Sequence, residues 1–402
     1  MKLPSLTLPL LALLPLSGAA NWTQFRGPEA NGTLPGVALP AELPSDKAIA
    51  WKVPLPGRGL SSPVVVGDRL FVTCSSGPRQ RTLHVICFQV ADGARLWERT
   101  FLATGRTMCH DKTSVAAPSP ASDGQRIFAL FSSNDLVCLD LEGNLVWFRG
   151  LTHDYPNASN SLGMSSSLVV ADGVLLAQVE NDGESFAAGL DASTGTNLWR
   201  LSRPKMANWC SPVCWKAGDR SLFGLQSGKG LVAVEPRTGR TVWDYADGAS
   251  TVASSALSAG IVYAPSHGIT AIEPGAAGGA PRQLWRSGQL RPGTPSPVIL
   301  GDRIYVMNDA GVLTSGELAT GKRLWQLRLK GPFSATPVAG GSHLLAVSEK
   351  GLAQLVDVSR PEGAVVSELD LGQTVLSTPS VSQSGVFIRS DATLWKLRSA
   401  SR

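Results

Sequence analysis

Residues Asp191–Trp199 read DASTGTNLW, and this short pattern decides the fold because it recurs along the chain. It returns as VADGARLW ending at Trp97, LDLEGNLVW at Trp147, EPRTGRTVW at Trp243 and ELATGKRLW at Trp325, with a looser copy ending at Trp285. Self-similarity at this spacing predicts a repeat architecture. The Asp or Glu that opens a copy can accept backbone amides two residues on, and the Gly supplies a left-handed bend. Together they predict a hairpin loop with a glycine bulge. The Trp begins the outgoing strand, where its large apolar area is best used against the next copy of the unit.

Outward from that pattern, each unit opens with an apolar strand ending in a tight turn, as in SSPVVVGDR, SPVILGDR or TPSVSQSG. Gly67, Gly124, Gly173, Gly218, Gly260, Gly301, Gly340 and Gly385 mark eight such turns. A second apolar run follows, as in RLFV at Arg69, then a third, then the DxxTG-type turn and the Trp strand. Short strands of period two without a long helix predict an all-β fold. Seven units carry a fourth strand, Val365–Leu369 being a Trp-less version, while the eighth runs out at LWKLR. The orphan strand around Trp51 supplies the missing piece. Trp51 to Trp395 spans about 43 residues per unit over eight units, the spacing of propeller blades. The expected fold is an eight-bladed β-propeller of four-stranded antiparallel blades, its ring closed by the Trp51 strand; a seven-bladed ring would leave one turn unexplained. Trp51, Trp97, Trp147, Trp199, Trp243, Trp285 and Trp325 are read as structural.

Residues 1–20 read as an export signal: Lys2, the apolar LTLPLLALLPL, and the small residues Gly18, Ala19 and Ala20 as a cleavage site. The apolar run is too short and too Pro-broken to be a permanent membrane span. No Cys follows it, so no lipid or transmembrane anchor is expected, and the mature chain is read as periplasmic or secreted. Residues 21–48 are expected to be irregular and draped on the surface, and 49–402 to form the propeller. The net charge of +5 comes from interspersed charges without a basic run, which gives no support to nucleic-acid binding. Among the six Cys, Cys87 and Cys138 hold equivalent repeat positions where other copies have Gly, Ala or Ser, so they read as small buried packers. Cys210 and Cys214 would lie about 13 Å apart on a strand, too far to bond. Cys74 and Cys109 remain as candidates for a reactive or bridged thiol.

Strand alternation places the Gly turns and the DxxTG turns on one face. The longer segments Cys74–Arg81, Phe101–Val115, Leu151–Gly163 and Glu180–Ser185 lie on the other, where function is expected. That face receives His110 and Lys112 of CHDKT, His153 of THDY, and His267. Asn208 and Trp209, at the start of the fourth unit's first strand, are expected near the channel rim, with Trp215 in the core. Glu180, Asn181 and Asp182 of ENDGES offer hard oxygen ligands that suit Ca²⁺, although such a loop is more commonly a solvated turn. No nucleophile elbow, HExxH or phosphate-binding glycine loop is present, so a catalytic assignment would rest on loop residues alone.

The repeats GDRLFV, VCLDLEGNLVW and LDASTGTNLW resemble those of the pyrroloquinoline quinone (PQQ) repeat family of propellers. WTQFRGP, CHDKTSVAAPSP and NDGESFAAGLD are similar to a planctomycete-type subgroup of it. The resemblance implies one of two jobs. Quinoprotein alcohol and sugar dehydrogenases hold PQQ and Ca²⁺ in the channel and often have a disulfide between adjacent Cys, a pair this chain lacks. BamB-like propellers are non-enzymatic and bind partner proteins through loops. The expectation is an exported, non-catalytic propeller that contacts a protein or small ligand through its loop-rich face, with a PQQ/Ca²⁺ dehydrogenase as the alternative.

Overall fold

The computed structural model of the protein describes residues 21–44, 47–158, 160, 162–275 and 279–399. The export signal read at 1–20 lies outside the described residues. No described helix is long and apolar enough to cross a membrane. Eight four-stranded antiparallel sheets follow one another along the chain, so the eight-bladed propeller expected from the turn count is the fold. Blade 1 comprises Val64–Val66, Arg69–Ser76, Thr82–Gln89 and Arg95–Leu102. Blade 8 has three strands from the end of the chain and takes its fourth, Ile49–Pro54, from the beginning. Trp51 lies opposite Lys396 there and Lys52 opposite Trp395. The Trp-less fourth strand of blade 7 runs Ala364–Asp370.

The burial pattern follows strand position. Val174–Val179, a second strand with blades on both sides, is buried at every residue, whereas the outer strand Asn197–Ser202 is partly to fully exposed throughout. In blades 1 to 6 the outer-strand Trp faces a small residue of the third strand: Cys87 with Trp97, Cys138 with Trp147, Gly189 with Trp199, Ala233 with Trp243, Ala271 with Trp285 and Ser315 with Trp325. The bulge falls immediately after that small residue in every one of these pairs. The steric reason is plain at Gly189, where an added Cβ would lie 2.2 Å from the Trp199 ring. Cys87 and Cys138 are buried packers under their indoles. Beyond its own blade, the Trp caps the next: Trp97 Nε1 donates to Leu141 O at 2.9 Å, Trp147 Nε1 to Ala192 O at 3.1 Å, and Trp51 Nε1 to Val90 O at 3.2 Å.

Two expectations need correction. In blade 7 the turn glycine is Gly341, with φ +63°, while Gly340 is buried in the first strand; in blade 8 the turn is Gln383–Ser384, and Gly385 opens the second strand opposite Ser382. The second concerns 21–43, which is irregular but does not drape on the surface. Trp22 and Arg26 are fully buried. Trp22 exchanges backbone hydrogen bonds with Val65, Thr23 O accepts Ser122 N, Asn31 O accepts Ile299 N, Gly32 O accepts Ala339 N, and Leu39 N donates to Gly340 O. These partners are the innermost strands of blades 1, 2, 6 and 7, so the segment fills the turn-side end of the central channel. Backbone groups there would otherwise face an empty pore, and unpaired buried groups are costly. Gly27, at φ +82°, lets the segment double back with no room for a side chain: a Cβ would sit 2.9 Å from Thr33 O.

Candidate functional site

Above this plug the channel widens on the loop-rich face into a cavity of about 590 Å³. Its wall is set by residues just before the innermost strand of each blade. Ser62 N donates to Ser119 Oγ, Ser119 N to Ser167 Oγ, Ser167 N to Ser211 Oγ, Ser211 N to Ser254 Oγ, Ser254 N to Ser296 Oγ, Ser296 N to Thr336 Oγ1, and Thr336 N to Thr378 Oγ1, all at 2.8–3.0 Å. Each bond joins one blade to the next. All seven accepting hydroxyls line the cavity. Six of the eight belt residues precede a proline, which holds the residue before it extended.

The belt is open at one seam. Among the described residues Ser62 Oγ has no partner. There the fully buried Arg389 of blade 8 reaches into blade 1, donating to Thr73 O at 2.6 Å and Ser61 Oγ at 3.3 Å. Arg58 adds a second tie across the seam, to Asp391 at 3.3 Å and to the carbonyls of Asp111 and Thr113, which pins the CHDKT loop over the cavity.

Of the residues expected at the site, His110, Lys112 and Trp209 line this cavity together. His110 Nδ1 accepts the Lys112 amide at 3.1 Å, and Lys112 Nζ lies 3.0 Å from Glu349, which also accepts from Ser334 Oγ at 2.7 Å. Trp209 is held at the rim by Nε1 donating to Gly163 O at 2.8 Å, while Trp215 is buried in the core. The other candidates are elsewhere. His153 is exposed on the single turn Leu151–Asp154. His267 borders a second hollow of about 600 Å³ with Arg291, and its Nε2 is 3.8 Å from Asp247. Asn208 is buried, donating to Glu180 Oε2 at 2.9 Å and to Gln226 O at 2.8 Å.

The ENDGES residues make a structural knot. Glu180 is buried against Arg203 at 2.6 Å, and burial pushes its carboxyl above the usual range although Arg203 and Asn208 oppose the shift. Asn181 bonds within its own loop, to Gly183 N and Glu184 O, and Asp182 is exposed. Among the described residues no group of three His, Cys, Asp or Glu is placed to hold a metal ion. All six described thiols are free; Cys74 is buried beside Arg389, and burial raises both it and Cys109.

Sequence reasoning missed Phe25, which reaches the cavity from the plug, and also Phe333, Asp309, Glu349 and the hydroxyl belt. The belt had a visible signal in the Ser–Pro and Thr–Pro pairs that open the blades. Phe25 had one in the unexplained WTQFRGP stretch.

Comparison with known proteins agrees with this architecture. BamB from Moraxella catarrhalis superposes with a TM-score of 0.61 at 16% identity, covering 87% of this chain and 97% of that one. The quinohemoprotein alcohol dehydrogenase from Comamonas testosteroni gives a TM-score of 0.71 at 14% identity, covering 95% of this chain and 81% of the other. At such identities the likeness speaks for the fold alone. A polyvinylalcohol dehydrogenase of Sphingopyxis sp. (strain 113P3) is 26% identical over 201 residues, which span 46% of this chain but only 28% of that relative's length. The family described as outer membrane protein assembly factor BamB matches residues 39–163, 84–267 and 266–366, and with most of its length so matched the chain belongs to this family of PQQ-like repeat propellers.

Proposed function

We propose that this protein is an exported, non-catalytic binding propeller, periplasmic or secreted, whose loop-rich face receives a small ligand or a group of a protein partner. The observation that carries this reading is the plugged channel, which leaves a one-sided cavity walled by hydroxyls and by Trp209, Phe333 and Phe25. Its ionisable groups are already committed to each other or to backbone. Lys112 and Ser334 hold Glu349, and Asp309 Oδ1 accepts Thr294 N at 2.8 Å. Leu162 and Val252, half exposed at the cavity, add apolar surface for a partner.

The alternative, a PQQ/Ca²⁺ dehydrogenase, has Trp209 as a flat stacking wall in its favour. The donors do not fit it. Calcium takes six to eight oxygens, and among the described residues no three His, Cys, Asp or Glu come together to hold a metal ion, while Glu180 is consumed by Arg203.

Photo-crosslinking in the producing cell tests the proposal. A crosslinkable residue at Leu162 is expected to trap a ligand or partner, and one at Leu198 on the outer edge is not. Reduction of a dye with ethanol or glucose by the purified chain loaded with PQQ and Ca²⁺ would overturn it.

A further inference from the structure

Arg26 of the plug occupies an unusual position for a cation. Its side chain is fully buried in the plug, and its one hydrogen bond within the described residues goes to Ser255 O. Nε and Nη1 have no partner there, and no carboxylate pairs with it. The neighbouring Cys210 does not neutralise it, because burial keeps that thiol protonated. Burial lowers Arg26 itself to about 9, so it still carries its charge at neutral pH. An isolated buried cation is strongly unfavourable unless something compensates it.

The cavity lies within one layer of that charge on two sides. Ser255, which takes the hydrogen bond, follows the belt residue Ser254. Phe25, whose ring centre is 5.3 Å from the guanidinium, lines the cavity. The belt hydroxyls have a matching chemistry. Seven of the eight accept a backbone N–H and keep their own proton, and among the described residues only Ser167 donates it, to Ser165 O at 3.5 Å. A ring of hydroxyl donors backed by a buried cation favours negative charge, since hydrogen bonds to an ionised acceptor are the stronger ones. Lys112 neutralises Glu349 at the rim.

We infer that the belt is an oxyanion site, and that the ligand is an organic anion whose carboxylate or phosphate sits within the hydroxyl ring while its apolar body packs against Trp209, Phe333 and Val252. This rests on the binding role proposed above. The cavity exceeds the size of a bare oxyanion, which is why an apolar body is assigned.

Calorimetric titration of the purified mature chain with hexanoate, hexanamide and inorganic phosphate tests it. Hexanoate is expected to bind one to one, and the isosteric neutral hexanamide at least tenfold more weakly. Phosphate binding in place of hexanoate would identify a phosphate-bearing ligand. Arg26→Met is expected to weaken anion binding about tenfold or more, and Ser254→Ala, which leaves Arg26 in place, several-fold, with circular dichroism checking that both variants fold. Equal binding of hexanoate and hexanamide, or anion binding unchanged in both variants, would overturn the inference. Absence of anion binding with Leu162 crosslinks retained would sink the anion assignment and leave the binding role standing; loss of both would remove both.

Discussion

Trp199 of blade 3 lies over Gly239 of blade 4: a Cβ on that glycine would be 2.5 Å from the indole Cδ2, and the indole Nε1 donates to Pro236 O at 2.6 Å. The same relation joins Trp97 to Gly143, Trp147 to Gly195 and Trp285 to Gly321. The glycine of each DxxTG turn therefore has two duties, a left-handed φ and a flat seat for the preceding blade's Trp.

Gly239→Ala is expected to cost about 2–3 kcal/mol, from the positive φ together with overpacking against Trp199. Gly67→Ala, at φ +60° with nothing within 4 Å of the added Cβ, is expected to cost only about 1 kcal/mol. Thermal denaturation of the two variants side by side checks the difference, and equal losses would mean that the indole seat is unimportant.

The hydroxyl belt makes an asymmetric prediction. Ser211→Ala leaves the buried Ser167 amide without its acceptor and is expected to destabilise by about 1–3 kcal/mol. Ser62→Ala removes a hydroxyl that has no partner and is expected to be near neutral. Urea unfolding followed by tryptophan fluorescence distinguishes them.

Arg203→Met strands the buried Glu180 and is expected to cost about 3–5 kcal/mol at pH 7, while the double variant with Glu180→Gln recovers most of the loss. A carboxyl whose folded pKa is raised favours the protonated folded state, so its penalty is absent below the unfolded pKa and grows as pH climbs toward the folded one. The deficit of Arg203→Met is therefore expected to shrink when unfolding is repeated near pH 4. A deficit independent of pH would show that Arg203 acts through packing.

Thiol accessibility separates the two cysteines singled out in the sequence. Cys109 is partly exposed in the CHDKT loop, with Gln80 Nε2 donating to its sulfur at 3.5 Å, whereas Cys74 is fully buried. A disulfide reagent at pH 8 is expected to modify Cys109 in the native protein and Cys74 only after unfolding, as peptide mapping would reveal. Burial raises Cys109 above the ordinary thiol value, so its reaction should be slower than that of a free cysteine and should accelerate as pH rises.

The parts of the fold that were legible are those set by short-range patterning. DASTGTNLW and its copies place turn, glycine and Trp within nine residues, and the count of turns against fourth strands left Trp51 as the closing piece. The misplaced turn glycine at Gly340 arose where GG offers two candidates and only strand register decides between them. The candidate site was half legible. CHDKT and Trp209 stood out by residue type on the face the topology had singled out, but Glu180 and Asn208 looked like ligands because nothing local reveals that Arg203 occupies them.

By itself the sequence determined the eight blades, their closure and which face carries the loops, because a repeated unit buries its apolar surface only against its own neighbour and so writes its packing into each copy. Only the tertiary structure decided that WTQFRGP plugs the channel, that eight scattered Ser and Thr residues form a belt, and that Arg26 lies buried beside it. Those contacts join residues far apart in the chain, as from Arg26 to Ser255, 229 positions on. The Ser–Pro and Thr–Pro pairs recur with the blades, but nothing local says which groups they meet, because their partners exist only once the ring has closed.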